Sequence, residues 1–337
     1  MSQPSFVLEF PLFRRILGRI DRLKAQAYQR YRERRFPAAV YDALYYVRNL
    51  EPVERYRQAQ AKLAPQPIEA KVLQDLREHG LAVVDIADLL QVPTLEQIQA
   101  WAEQVIAAPS NQAKISFIEG GGRPDAMSGK FYLVRLLGDE PFMEFNNPMT
   151  RLSLSAEVLR IVAAYFGMFG RLAALGLWYN LPTGGPAMFS QRWHRDPEDK
   201  RLVKTFLYLR DVGETNGPFS YVLGSHNDGP LKHVRPESGR MYPEPEFVDK
   251  HFPPHLVRVC TGKAGTLIFA DTTGFHRGGQ PTSGARLLFN TVYTSNASIP
   301  LVLKRREFRM TGSPESPLDE LASYAVGHLA STREITS

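Results

Sequence analysis

The sequence predicts an α+β chain built around a jelly-roll core, and two observations carry that expectation. Helix-patterned segments fill the first half. From Leu172 onward the chain breaks into short β-branched or aromatic runs separated by Gly, Pro and Asn turns. Helices first and antiparallel-looking strands afterwards is the order of an α+β fold whose strands curl into a jelly roll. With 43% hydrophobic and 23% charged residues, the chain has enough apolar material for a substantial core and none of the bias that marks disorder.

Residues 1–60 carry twelve Lys/Arg against six Asp/Glu, so the net charge of +6 resides in this arm and the remainder is balanced. Within it, Leu12, Phe13, Ile16, Leu17, Ile20 and Leu23 recur at helical spacing, with Arg14, Arg15, Arg19 and Arg22 between them. Such a helix packs on the protein's own core with its arginines in water, which is the expectation, or lies on an anionic membrane as a peripheral contact. No nucleic-acid motif accompanies the charge, so no nucleic-acid partner is expected. No apolar run reaches about 18 residues, so no transmembrane segment is expected. Met1–Phe13 lacks the basic start and sustained apolar stretch of a secretion signal. The single cysteine, Cys260, excludes an internal disulfide and a multi-cysteine zinc site. These absences together point to a cytoplasmic chain. Oligomeric state is silent in the sequence.

The Ala-Pro-Gln-Pro stretch around Leu63–Ile68 reads as a linker. Ile68–His79 then reads as a helix stopped by Gly80, Leu81–Asp85 as a strand, and Thr94–Ile106 and Ser153–Phe166 as helices. Strands are expected at Leu172–Asn180, Arg201–Leu209, Phe219–Leu223, Leu256–Cys260, Thr266–Ala270 and Leu287–Tyr293. His226–Pro254 is proline-bearing and aperiodic, the character of a lid or binding loop. From Leu301 the text turns polar. The chain thus divides into a basic helical arm (1–65), a central domain (66–300) and a C-terminal tail (301–337).

Chemistry concentrates in Phe189-Ser-Gln-Arg-Trp-His194-Arg-Asp196. On an extended strand residues two apart face the same side, so His194 and Asp196 present an imidazole and a carboxylate together. Two histidines and one carboxylate on one face of an octahedron suit non-haem Fe(II) oxygenases. A second pair, His226-Asn-Asp228, has the same spacing, but Leu223-Gly-Ser and Gly229-Pro230 bracket it with turn residues, so context favours His194. His276 lies just beyond the apolar run Thr266–Ala270, after Gly274. Ten residues later Arg286 opens the next strand, where a planar guanidinium matches a carboxylate in two hydrogen bonds. No Gly-x-Ser-x-Gly elbow appears, so no serine hydrolase triad is legible.

His194-Arg-Asp196, the Asn216-Gly-Pro turn, the Gly224-Ser-His226 turn and Phe275-His276-Arg-Gly-Gly with Arg286 together resemble the phytanoyl-CoA dioxygenase family of Fe(II)/2-oxoglutarate oxygenases. The resemblance runs in order from about Ile68 to Tyr293. It implies a double-stranded β-helix with Fe(II), 2-oxoglutarate and O2 as cofactors and co-substrates. It implies His194, Asp196 and His276 as iron ligands, and Arg286 as the partner of the distal carboxylate of 2-oxoglutarate. Gln191 and Asn180 occupy positions that contact the co-substrate in similar enzymes. Phe219 stands where members place a threonine, so that contact is not expected here, and His226 belongs to a structural turn. The intact carboxylate of Asp196 points to hydroxylation or a related oxidation of a small-molecule substrate, and away from halogenation. The rival reading is a metal- or ligand-binding jelly roll without turnover. Arg286 weighs against it, since a structural metal site gains nothing from a carboxylate clamp.

Overall fold

The computed structural model describes residues 38–122, 132–138, 141–236, 241–298 and 308–329. The helix expected over Leu12–Leu23 lies outside them. The chain opens with helices α1 (Ala38–Arg48), α2 (Leu50–Ala59) and α3 (Pro67–His79). Helix α3 starts where the sequence asks: Pro67 sits at its first turn and Gln66 N–H donates to Glu69 Oε2 at 3.1 Å. It stops at Gly80, which takes the left-handed conformation with φ 74°. After β1 (Leu81–Asp85) come α4 (Ile86–Leu89), α5 (Leu95–Ala107) and α6 (Pro109–Glu119). Thr94 caps α5: its own N–H donates to Gln97 Oε1 at 3.0 Å, and its hydroxyl accepts from Gln97 N–H at 3.4 Å. Then follow β2 (Leu133–Arg135), β3 (Phe142–Glu144), α7 (Pro148–Ser153) and α8 (Ala156–Phe166). The single helix expected over Ser153–Phe166 therefore begins at Ala156, because Ser153 ends α7 and Leu154–Ser155 turn the chain between the two.

The strands follow as β4 (Arg171–Asn180), β5 (Val203–Tyr208), β6 (Phe219–Val222), β7 (Val257–Cys260), β8 (Thr266–Asp271), β9 (His276–Gly278), β10 (Arg286–Thr294) and β11 (Arg309–Thr311). Helix α9 (Phe247–His251) interrupts the expected loop, and α10 (Glu320–Val326) closes the described chain. Six strands form one antiparallel sheet in the order β1-β8-β5-β10-β4-β2, and three form a second in the order β7-β6-β9. The non-sequential order is that of a jelly roll, and the expected α+β class with flanking helices holds.

Period-two alternation explains the layering. Val203 and Leu207 of β5, Phe269 of β8 and Phe289 and Tyr293 of β10 face the helices and join one large core. Phe206, Tyr208, Ile268 and Leu288 face the other way and meet Phe219, Tyr221 and Cys260 of the smaller sheet. Cys260 is buried, and burial pushes its thiol up to about 12. The segment expected as a tail contributes to this packing. Strand β11 pairs with β3 in parallel, and Leu321, Ala322, Tyr324, Ala325 and Val326 of α10 are buried in the large core. Their spacing along one helix face is an apolar stripe inside otherwise polar text. Among the described residues, no helix is long and apolar enough to cross a membrane.

Gly80 shows how tightly the helical layer meets the barrel. A Cβ there would lie 2.4 Å from Tyr221 Oη and 2.6 Å from His226 Nδ1, in a backbone conformation that L side chains rarely adopt. Gly80→Ala is expected to destabilise the fold by roughly 2–4 kcal/mol, through left-handed strain plus overpacking. Urea unfolding of wild type and variant measures it, and equal midpoints would contradict the packing described.

Candidate metal centre

The segment ahead of β5 carries the first two chemical residues. A 3-10 turn at Phe189–Gln191, with Phe189 at φ 45°, precedes them. Beyond it the chain pairs with the β8–β9 connection. His194 N–H donates to the His276 carbonyl and His276 N–H donates to the His194 carbonyl, both at 3.0 Å, while Asp196 N–H donates to Thr272 O at 2.8 Å. This reciprocal bridge sets the two imidazoles side by side, ring centroids 4.2 Å apart, with the Asp196 carboxylate against both. His276 Nε2 lies 3.3 Å from Asp196 Oδ2, and His194 Nε2 lies 3.8 Å from Asp196 Oδ1.

Among the described residues these three form the only group of three His, Cys, Asp or Glu whose ligand-type atoms lie within 4.8 Å of one another, and all three are buried. The rings are oriented from behind. His194 Nδ1 sits 2.9 Å from Arg192 O and His276 Nδ1 sits 3.0 Å from Gly274 O. Only a protonated Nδ1 makes these contacts favourable, which leaves each Nε2 lone pair facing the shared point. Burial, reinforced by the neighbouring His276, pulls His194 down to about 3, so it is a neutral imidazole. Burial acts against an ionised Asp196, but the Lys204 ammonium leads the opposing influences and the carboxyl is held well below its usual range. A divalent ion needs ligands in these deprotonated forms, and the N, N, O donor set fits one.

Arg286 opens β10 opposite Asn180 in the register with β4. It is buried, yet its Nε and Nη1 have no hydrogen-bond partner. Burial pulls its pKa below the usual value, partly offset by the Tyr208 and Tyr132 hydroxyls. Asn180 Oδ1 and Gln191 Nε2 are also buried without partners, while Gln191 Oε1 accepts from Met188 N–H at 3.0 Å. A Cβ on Gly278 would stand 3.3 Å from Arg286 Nη2, so the glycine keeps the guanidinium's surroundings clear. A desolvated cation left unpaired costs several kcal/mol. The orphaned donors and acceptor fit a small carboxylate-bearing molecule that accepts from the guanidinium fork.

A family model described as phytanoyl-CoA dioxygenase (PhyH) matches residues 76–287, more than half of the chain. The chain belongs to the phytanoyl-CoA dioxygenase family. It is a non-haem Fe(II)- and 2-oxoglutarate-dependent dioxygenase. Comparison with curated proteins gives no match. Among solved structures it is similar to the epimerase SnoN in complex with Fe3+, alpha ketoglutarate and nogalamycin RO, at 17% identity over 68% of this chain and 84% of that one, TM-score 0.45. It is also similar to AviO1 from Streptomyces viridochromogenes Tue57, at 20% identity over 68% and 96% of the two chains, TM-score 0.45. A third similar structure is EctD from S. alaskensis with bound Fe, at 20% identity over 70% and 79%, TM-score 0.45.

In this dioxygenase the rival pair does not converge. His226 is fully buried against Gly80 and Gly229 and lines a cavity of about 350 Å³ with Arg77, Tyr165 and Arg201, while Asp228 pairs with Arg201 at 2.6 Å. Phe219, in place of a threonine, forms an aromatic wall 5.8 Å from the His276 ring. Two neighbours of the centre escaped sequence reasoning. Lys204 Nζ lies 2.6 Å from Asp196 Oδ2, and the Tyr242 ring lies 5.4 Å from the His194 ring. An inward-facing lysine in an apolar strand was the available signal for the first. Nothing local announced the second.

Asp199 anchors the loop that follows Asp196. Its carboxylate accepts from Ser295 N–H at 2.7 Å, Ser295 Oγ at 3.1 Å and Lys200 N–H at 2.7 Å, tying the loop to the end of β10. Burial outweighs these hydrogen bonds and raises its pKa to about 7. The folded value lies above the unfolded one, so this group's contribution to stability is complete below about pH 4 and is lost as pH rises through 7. Asp199→Asn cannot ionise. Its stability is expected to gain on wild type by roughly 2–3 kcal/mol between pH 5 and pH 8. Urea midpoints across that range test this, and a pH-independent difference would refute it.

Proposed function

We propose that His194, Asp196 and His276 hold Fe(II), that Arg286 receives the distal carboxylate of 2-oxoglutarate, and that Asn180 and Gln191 complete its polar surroundings. The observation that carries this reading is a buried guanidinium with unpaired N–H groups in the same barrel as a buried His/Asp/His cluster. A metal held by these three side chains would keep open sites for a 2-oxo acid and O2. When bound, the iron supplies the oxidising chemistry: one atom of O2 enters succinate as CO2 is released, and the other enters the substrate or leaves as water.

The chain's own residues bind, orient and exclude water. The Nδ1–H contacts to Arg192 O and Gly274 O fix both imidazoles, and the Arg286 fork orients the co-substrate along the barrel interior. Phe206, Phe219 and Tyr221 pack together as a dry wall. The catalytic unit we propose spans residues 66–300. For the substrate we propose a small organic molecule hydroxylated or otherwise oxidised at carbon. In the segment from 241 onward Tyr242 lies against the centre, and Arg192 Nη2 donates to Pro243 O at 2.8 Å. A loop held this way over a rigid barrel is placed to shape the substrate side.

Purified protein with Fe(II), ascorbate, 2-oxoglutarate and a panel of small organic substrates is expected to release succinate. His194→Ala is expected to lose both metal binding and turnover, whereas His226→Ala keeps metal binding. Arg286→Ala should keep the metal and lose about 30-fold or more in 2-oxoglutarate affinity, the loss typical of stripping a partner from a buried charge pair. Metal titration and succinate yield read all three. Full turnover in His194→Ala would overturn the ligand assignment.

A further inference from the structure

Lys204 sits where the strand pattern leaves no ordinary place for it. Alternation along β5 puts Val203 and Leu207 towards the helices and Lys204, Phe206 and Tyr208 into the barrel. Its in-register neighbours are Ala270 of β8 and Val292 of β10. An ammonium among Phe206, Ala270 and Val292 is costly unless a charge compensates it. The compensation is Asp196: Nζ lies 2.6 Å from Oδ2, with side-chain exposures of 19% for the lysine and 6% for the aspartate.

The contact is directional. Lys204 reaches Oδ2, which also lies 3.3 Å from His276 Nε2, while Oδ1 carries no ammonium and faces His194 Nε2 at 3.8 Å. A carboxylate with both oxygens unengaged is able to take two coordination positions on a divalent ion. One with an oxygen held by an ammonium has that oxygen weakened as a donor and favours binding through the other. That difference decides how many positions remain for the co-substrate and O2.

We infer that Lys204 is a positioning residue that keeps Asp196 a one-oxygen ligand, and thereby preserves the coordination position that 2-oxoglutarate needs to chelate the metal. This rests on the assignment of Asp196 as a ligand. The lysine touches neither co-substrate nor metal in this role and acts through the carboxylate alone. An outer contact of this kind typically changes metal-site properties by 10- to 100-fold. The direction here is specific. Removing the ammonium frees the second carboxylate oxygen, so metal binding persists while co-substrate chelation weakens.

The test uses the full chain and the variants Lys204→Met and Lys204→Gln. Fe(II) and Mn(II) affinities are titrated without 2-oxoglutarate. Chelation is then followed anaerobically by the visible charge-transfer absorption that a 2-oxo acid gives on Fe(II). Lys204→Met is expected to bind metal at least as tightly as wild type to within about threefold, and to weaken 2-oxoglutarate by about tenfold or more. Its succinate assay should show a raised KM for 2-oxoglutarate. Lys204→Gln, which still donates to Oδ2, is expected to recover most of that loss. Unchanged chelation in Lys204→Met overturns the inference, and so does loss of metal binding itself, which would make Lys204 an assembler of the site. If Lys204→Met does not fold, Lys204→Gln decides alone: a two- to fivefold weakening of chelation with metal retained supports the role, and wild-type chelation or lost metal refutes it. Failure of wild type to bind Fe(II) or 2-oxoglutarate would instead sink the functional reading beneath it.

Discussion

The arrangement depends on one short stretch of backbone pairing. His194 and His276 exchange N–H to carbonyl hydrogen bonds at 3.0 Å in both directions, and Asp196 adds a third to Thr272. Those bonds are main-chain bonds, so they fix where the three side chains start before any metal contributes. Each Nδ1 contact then removes one rotation from an imidazole. A cluster assembled in this way is preorganised: the ordering entropy is met during folding, and little is left to be met on binding.

Burial dominates the electrostatics around that bridge. The same desolvation that keeps His194 neutral also works against Asp196, and there the Lys204 ammonium leads the influences that reverse the outcome for the carboxylate. Among the described residues no carboxylate tempers the burial of Arg286; Tyr208 and Tyr132 do. One cation in the barrel is thus compensated from within the chain and the other stands open to a ligand. This asymmetry underlies the different roles proposed for the two residues.

Much of this was legible in the sequence because the relevant signals are local or periodic. Gly80 as a helix stop, Thr94 as the start of a helix, and the runs of β4, β5, β8 and β10 are readable from residue type and spacing. The cluster of His194, Asp196 and His276 was legible through motif order, with turn context setting His194 and Asp196 apart from the pair His226 and Asp228. What escaped reading depends on long-range contact. The burial of α10 is imposed by a surface made of α8 and β4. Lys204 was written in the strand pattern, but its meaning required knowing that Asp196, eight residues earlier, returns to the same interior.

The buried thiol of Cys260 has a practical corollary. It is the only sulfhydryl in the chain, it lies between the two sheets, and burial holds it in the unreactive protonated form. Alkylating reagents therefore modify this protein only when the smaller sheet separates from the larger one. The barrel carries its own clock for opening, with the rate of thiol capture reporting how often its two walls come apart.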